Sequence, residues 1–63
     1  MEEKLRELLE GMKDSYYDFV EITLRDLRGD EENQKKLLKF LEENPDAQTD
    51  DVIEYVDDEL LGF

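Results

Sequence analysis

The chain has no cysteine, no histidine and no tryptophan, and only one proline in 63 residues. Without cysteine, neither a disulfide nor a thiolate zinc site can staple the fold, although a domain this short usually needs a staple or a partner. Without histidine or cysteine, the commonest acid–base and nucleophilic side chains are missing. Positive charge is scarce, and absent from one part of the chain. All 8 bases lie within residues 1–39, beside 11 acids, whereas residues 40–63 carry 9 acids and no base. The net charge of −12 disfavours direct binding to a nucleic-acid backbone. No apolar run approaches the ~18 residues of a membrane span. The opening Met1-Glu2-Glu3-Lys4 is not the basic-then-apolar start of a secretory signal. A soluble, cytoplasmic chain with no membrane association and no cofactor is expected.

What the sequence does have is apolar periodicity. Leu, Ile, Val and Phe number 18, or 29% of the chain, above the roughly 20% below which disorder is expected. The chain is therefore read as folded near neutral pH, with self-repulsion lowering its stability. Leu5, Leu8, Leu9, Met12, Tyr16, Phe19, Val20, Thr23, Leu24 and Leu27 recur at steps of three and four, which places them on one helical face. The phase does not slip across Gly11, so the spacing predicts one long helix over about 2–28, in preference to two short ones. Gly29 supplies its stop. Asp30 caps a second helix over 31–43, with Glu31 and Glu32 in the first turn and Asn44-Pro45 at its end. Thr49 or Asp50 caps a third helix over 50–61, which Gly62 stops. No segment alternates with period two, so no strand is expected. The fold class is all-α, a single domain over 1–63 built as a small three-helix bundle with a long first helix. Its expected core is Phe19, Val20, Thr23, Leu24, Leu27, Leu37, Leu38, Leu41, Val52, Ile53, Val56 and Leu60.

The lengths carry a consequence. A helix of about 26 residues spans roughly 39 Å, and the two later helices, each about half as long, cover only its C-terminal half. The stripe is broad between Phe19 and Leu27 but narrow between Leu5 and Met12, as in a seam with one neighbour. A second copy of the chain is the simplest cover, because symmetric dimers dominate soluble oligomers. Leu5, Leu8, Leu9 and Met12 are thus the candidate self-association residues. The alternative is a bend at Gly11 that folds residues 2–10 back onto the chain's own core.

The plentiful acids do not by themselves indicate chemistry. A catalytic carboxylate needs a pocket that raises its pKa, and a domain this small has little room for one. Ser15, Thr23 and Thr49 have no histidine to activate them. A calcium loop started at Asp46 has Asp51 where glycine belongs and Asp57 at its twelfth position, so the pattern fails. Asp14-Ser15-Tyr16 differs from the carrier motif of acyl carrier proteins, since Ser15 lies within the predicted first helix and no leucine follows it. No enzyme activity and no metal site are expected.

The remaining signal is the lopsided charge. Asp50, Asp51, Glu54, Asp57 and Asp58, with Tyr55 as a central anchor, form the candidate partner-binding face on the third helix. The bland reading is a solvated face, or one paired with Lys35, Lys36 and Lys39. The functional expectation is a non-catalytic adaptor or regulatory module that binds a protein with a basic surface. The alternatives are an inhibitor that mimics nucleic-acid charge, of a size suited to a phage or mobile element, and an antidote to a basic toxin. A duplex mimic needs acids at phosphate-like intervals, whereas an adaptor needs an uncovered apolar patch among them.

Overall fold

In the computed structural model, which describes residues 2–62, four helices follow one another: α1 (Glu2–Glu10), α2 (Tyr17–Asp26), α3 (Glu31–Glu43) and α4 (Thr49–Tyr55). A π-helical turn, Val56–Leu60, continues α4. Met1 and Phe63, included in the expected domain, lie outside the described residues. Among the described residues there is no strand, so the architecture is all-α, with four helices instead of three.

The long first helix is not formed. Gly11 N–H donates to the Glu7 carbonyl and closes α1, and Ser15 N–H bonds the Met12 carbonyl in a turn. Tyr16 is then extended (φ −144°, ψ 160°) ahead of α2. Gly11 is not left-handed, since among the described residues positive φ occurs only at Gly29 (80°) and Gly62 (76°). The break is instead spread over residues 11–16, where Gly11, Asp14 and Ser15 are all turn formers. The unbroken periodicity concealed it for a geometric reason. Leu9 and Val20 are eleven residues apart, within about 20° of three full helical turns, so the turn preserves the phase.

Burial decides between the straight and the folded form. Leu5 and Leu9 are wholly buried within the chain, each a gain of about 1.5–3 kcal/mol over exposure. The molecule measures 25 × 22 × 22 Å along its principal axes, too short for a straight helix of about 39 Å. The uncovered seam on which the expected self-association rested is therefore absent. Leu5 and Leu9 face α2 and α3 of the same chain, and Leu8 and Met12 pack partly buried beside them. The rim of this packing carries two ion pairs, Arg6–Glu21 at 2.6 Å and Lys4–Glu42 at 3.8 Å. The hydrogen-bonded Glu21 carboxylate holds the Arg6 guanidinium further above its ordinary pKa.

The corners are specified by polar side chains. At the α2–α3 corner, left-handed Gly29 turns the chain, and buried Gln34 donates to the Leu27 carbonyl at 2.8 Å. The Asp30 carboxylate caps α3 by accepting from Asn33 N–H at 3.1 Å. The Asn33 side-chain amide also donates to the Leu60 carbonyl at 3.3 Å, which ties this corner to the π turn. Thr49 and Asp50 do not cap α4. Gln48 is the N-cap, with its N–H on the Asp51 carboxylate at 3.0 Å. Thr49 is the first helical residue and is buried. Its N–H and hydroxyl both donate to the Asp14 carboxylate, at 3.2 and 3.0 Å, so the turn after α1 is pinned to the start of α4.

The core is Leu5, Leu9, Phe19, Val20, Leu24, Leu27, Leu37, Leu41, Val52 and Val56, with Thr23 buried among them. Leu38 and Leu60 are only partly buried, and Ile53, expected inside, is 38% exposed. Leu61 packs on the core as well. In an α-helix it would point well away from Val56, but the bond from Leu61 N–H to the Val56 carbonyl (2.8 Å) sets the two one wide π turn apart.

Two outcomes test this arrangement. Leu9→Ala should cost about 2–5 kcal/mol, a large part of the roughly 3–9 kcal/mol expected for a chain of this length. Met12→Ala should cost clearly less, and the melting midpoint of the wild type should not change with protein concentration. Equal effects of the two variants, or a concentration-dependent midpoint, would point to the open helix and its dimer. Asp14→Ala should lose about 1–2 kcal/mol in urea denaturation, and Asp14→Asn should recover part of it by keeping an acceptor.

Candidate functional site

Helical geometry divides the side chains of α4 and the π turn that continues it among three directions. Val52 and Val56 point into the core. On the opposite side, Asp51, Glu54, Tyr55 and Asp58 face an open groove of about 710 Å³ between α4, the end of α3 and the 44–48 loop. Glu43, Asp46 and Glu59 complete its acidic lining, so the groove holds six carboxylates and no base. The third direction leads to a smaller cleft toward α2, where Ile53 and Asp57 stand.

The groove has an aromatic wall. Phe40 and Tyr55 stack nearly parallel, with ring centroids 4.3 Å apart and an interplanar angle of 11°. Both rings are half-buried, and both line the groove. Tyr55 is thus a core-margin tyrosine on one side and part of the groove surface on the other. The stacked pair thus stands among the groove carboxylates.

The carboxylates are not neutralised from within. The ion pairs among the described residues are Lys4–Glu42, Arg6–Glu10, Arg6–Glu21 and Lys36–Glu32. None includes a groove acid, and none joins α4 to Lys35, Lys36 or Lys39. One groove carboxylate has a local task, since Asp51 accepts from the Gln48 N–H. No group of three or more acidic side chains among the described residues is arranged to hold a metal ion.

The predicted face is therefore split. Asp51, Glu54, Tyr55 and Asp58 share the groove, Asp57 lines the other cleft, and Asp50 lines neither. Phe40, Glu43, Asp46 and Glu59 are groove residues that a reading confined to one helix face does not select. The signal for three of them was present in the base-free run of residues 40–63, but only the α3–α4 corner brings them together. Ser15 also differs from expectation, because it lies in the turn before α2 and not within a helix. It is followed by exposed Tyr16, and its N–H is engaged with the Met12 carbonyl. No family model, curated protein or solved structure matches the chain.

Asp58 and Glu59 sit near the C-terminal end of a helix, where the dipole disfavours negative charge by about 0.3–1 kcal/mol per residue. Asp58→Asn should therefore raise the melting midpoint at low salt, and the gain should shrink at high salt as the charges are screened. A fall in the midpoint would mean that the carboxylate makes a stabilising contact in the folded chain.

Proposed function

We propose that the protein is a small non-catalytic interaction module whose acidic groove receives a lysine- or arginine-bearing segment of a protein partner. The observation that carries this reading is the groove itself: six carboxylates and no base, none of them in an ion pair among the described residues, beside the stacked Phe40 and Tyr55. Such a field steers a basic partner and raises its association rate in a salt-dependent way. The aromatic wall offers the guanidinium or ammonium group a directional contact that a solvated acidic coat lacks. Exposed apolar side chains at Tyr16, Tyr17, Ile22 and Ile53 favour a protein-binding module over a mimic of nucleic acid, whose task needs only carboxylates.

A synthetic peptide rich in lysine and arginine, titrated into the isotope-labelled chain, provides the test. Its binding should shift the amide resonances of Glu54, Tyr55 and Asp58 and weaken steeply with added salt. Glu54→Lys combined with Asp58→Lys should abolish those shifts and leave the fold intact, since surface changes usually stay within about 0.5 kcal/mol. Tyr55→Ala should weaken binding at constant net charge. Shifts of equal size at Glu2, Glu3, Glu31 and the groove acids would make the acidic surface a solubilising coat only.

A further inference from the structure

The four exposed large apolar side chains among the described residues are not scattered. Three of them, Tyr16 (53% exposed), Ile22 (47%) and Ile53 (38%), line one cleft of about 180 Å³ between α2 and α4. Buried Phe19 and Val56 form part of its lining, and the Tyr16 ring lies 5.8 Å from that of Phe19 at 41°. The two walls carry the same pair of residues four positions apart: Ile22 with Asp26 on α2, and Ile53 on α4 with Asp57 on the π turn that continues it. Asp57 is half-buried, yet no ion pair among the described residues includes either carboxylate.

An isoleucine left partly beside water forfeits part of the stabilisation that burial gives an aliphatic side chain. Each of these two stands next to an unpaired acid at the same helical offset. An occupant that relieves both costs is apolar at its centre and positive at its edge. A volume of about 180 Å³ is below the roughly 300–1,000 Å³ of small-molecule sites, so the cleft suits one or two side chains of a larger ligand. A second copy of the chain does not fit these terms. A two-fold contact sets identical patches against each other, which gathers the Asp26 and Asp57 carboxylates of both copies into one contact between molecules of net charge −12.

We propose that the α2–α4 cleft is a docking site for an amphipathic helix of a protein partner, which inserts an aliphatic anchor between Ile22 and Ile53 and sets lysine or arginine against Asp26 and Asp57. This is helix-in-groove recognition, in which apolar residues one turn apart supply the anchors. The cleft is separate from the acidic groove, and no residue lines both.

The probe is a synthetic helix with leucines on one face and lysines elsewhere. Its control has the same composition with the leucines dispersed. Titrated into the labelled full chain, the amphipathic peptide should shift the amides of Ile22, Thr23, Ile53 and Val56, and the dispersed control should not. Ile22→Ser with Ile53→Ser should weaken binding about tenfold or more with only a modest fall in the melting midpoint, because each side chain is already partly exposed. Asp26→Asn with Asp57→Asn tests the same site without removing apolar surface, and should weaken binding and flatten its salt dependence. Glu54→Lys with Asp58→Lys should leave the shifts mapped to the cleft, so that failure of the groove reading is distinguished from failure of this one. The proposal is overturned if both peptides shift the cleft equally, if the shifts are confined to the groove, or if neither the serine nor the asparagine pair weakens binding. Cleft amides that move with the concentration of the chain alone would assign the site to a second copy.

Discussion

The return of α1 onto α2 and α3 is the contact on which the structure depends. A nine-residue helix does not persist alone in water, and here it supplies two of the ten buried apolar side chains among the described residues, Leu5 and Leu9. Of the ion pairs at its rim, Lys4–Glu42 is exposed and contributes little by comparison, and Arg6–Glu21 is only part-buried. The turn that makes the return possible also reaches further. Its Asp14 carboxylate holds both the N–H and the hydroxyl of Thr49, so the segment that brings α1 home also fixes where α4 begins. The acidic groove and the apolar cleft are both walled by α4, and both therefore rest on that turn.

Electrostatics works against this compaction. The base-bearing part of the chain spends several of its cations on internal pairs with Glu10, Glu21, Glu32 and Glu42. The C-terminal part has none to spend. Its acids are held near one another by the α3–α4 corner, and some sit at the helix end least suited to them. An arrangement that lowers stability without a local compensation is the kind that a function elsewhere accounts for, and it is why the groove, among the surfaces of this molecule, carries the functional reading. The π turn adds to this picture by seating Leu60 and Leu61 against the core while Asp58 and Glu59 remain on the groove side.

Several features follow from particular residues and were legible in the sequence. Asp30 caps α3 as its position predicts, Gly29 and Gly62 take up the left-handed backbone expected of helix stops, and α3 spans 31–43 because Asn44-Pro45 leaves it no continuation. Thr23, a polar residue on an apolar stripe, is buried. The 100° step of an α-helix already separates Glu54, Tyr55 and Asp58 from Ile53 and Asp57, so the division of these side chains between groove and cleft could have been read from spacing alone. Treating the whole acidic run as one face concealed it. The long first helix failed for a different reason: a turn whose length matches whole helical turns leaves the period intact, and periodicity reports phase without reporting where the axis reverses.

By itself, then, the sequence determined what is local: an all-helical chain, most of its helix ends and most of the apolar stripe, because capping, glycine conformation and side-chain period act over a few residues. Tertiary structure alone decided that α1 folds back, that Gln48 caps α4 while Thr49 is drawn to Asp14, that Ile53 faces outward, and that Glu43 and Asp46 join the acids of α4 around a stacked Phe40 and Tyr55. Each of these outcomes is a choice between burying a side chain in one place or another. That choice depends on which distant segment arrives to cover it, and no interval along the chain records the arrival.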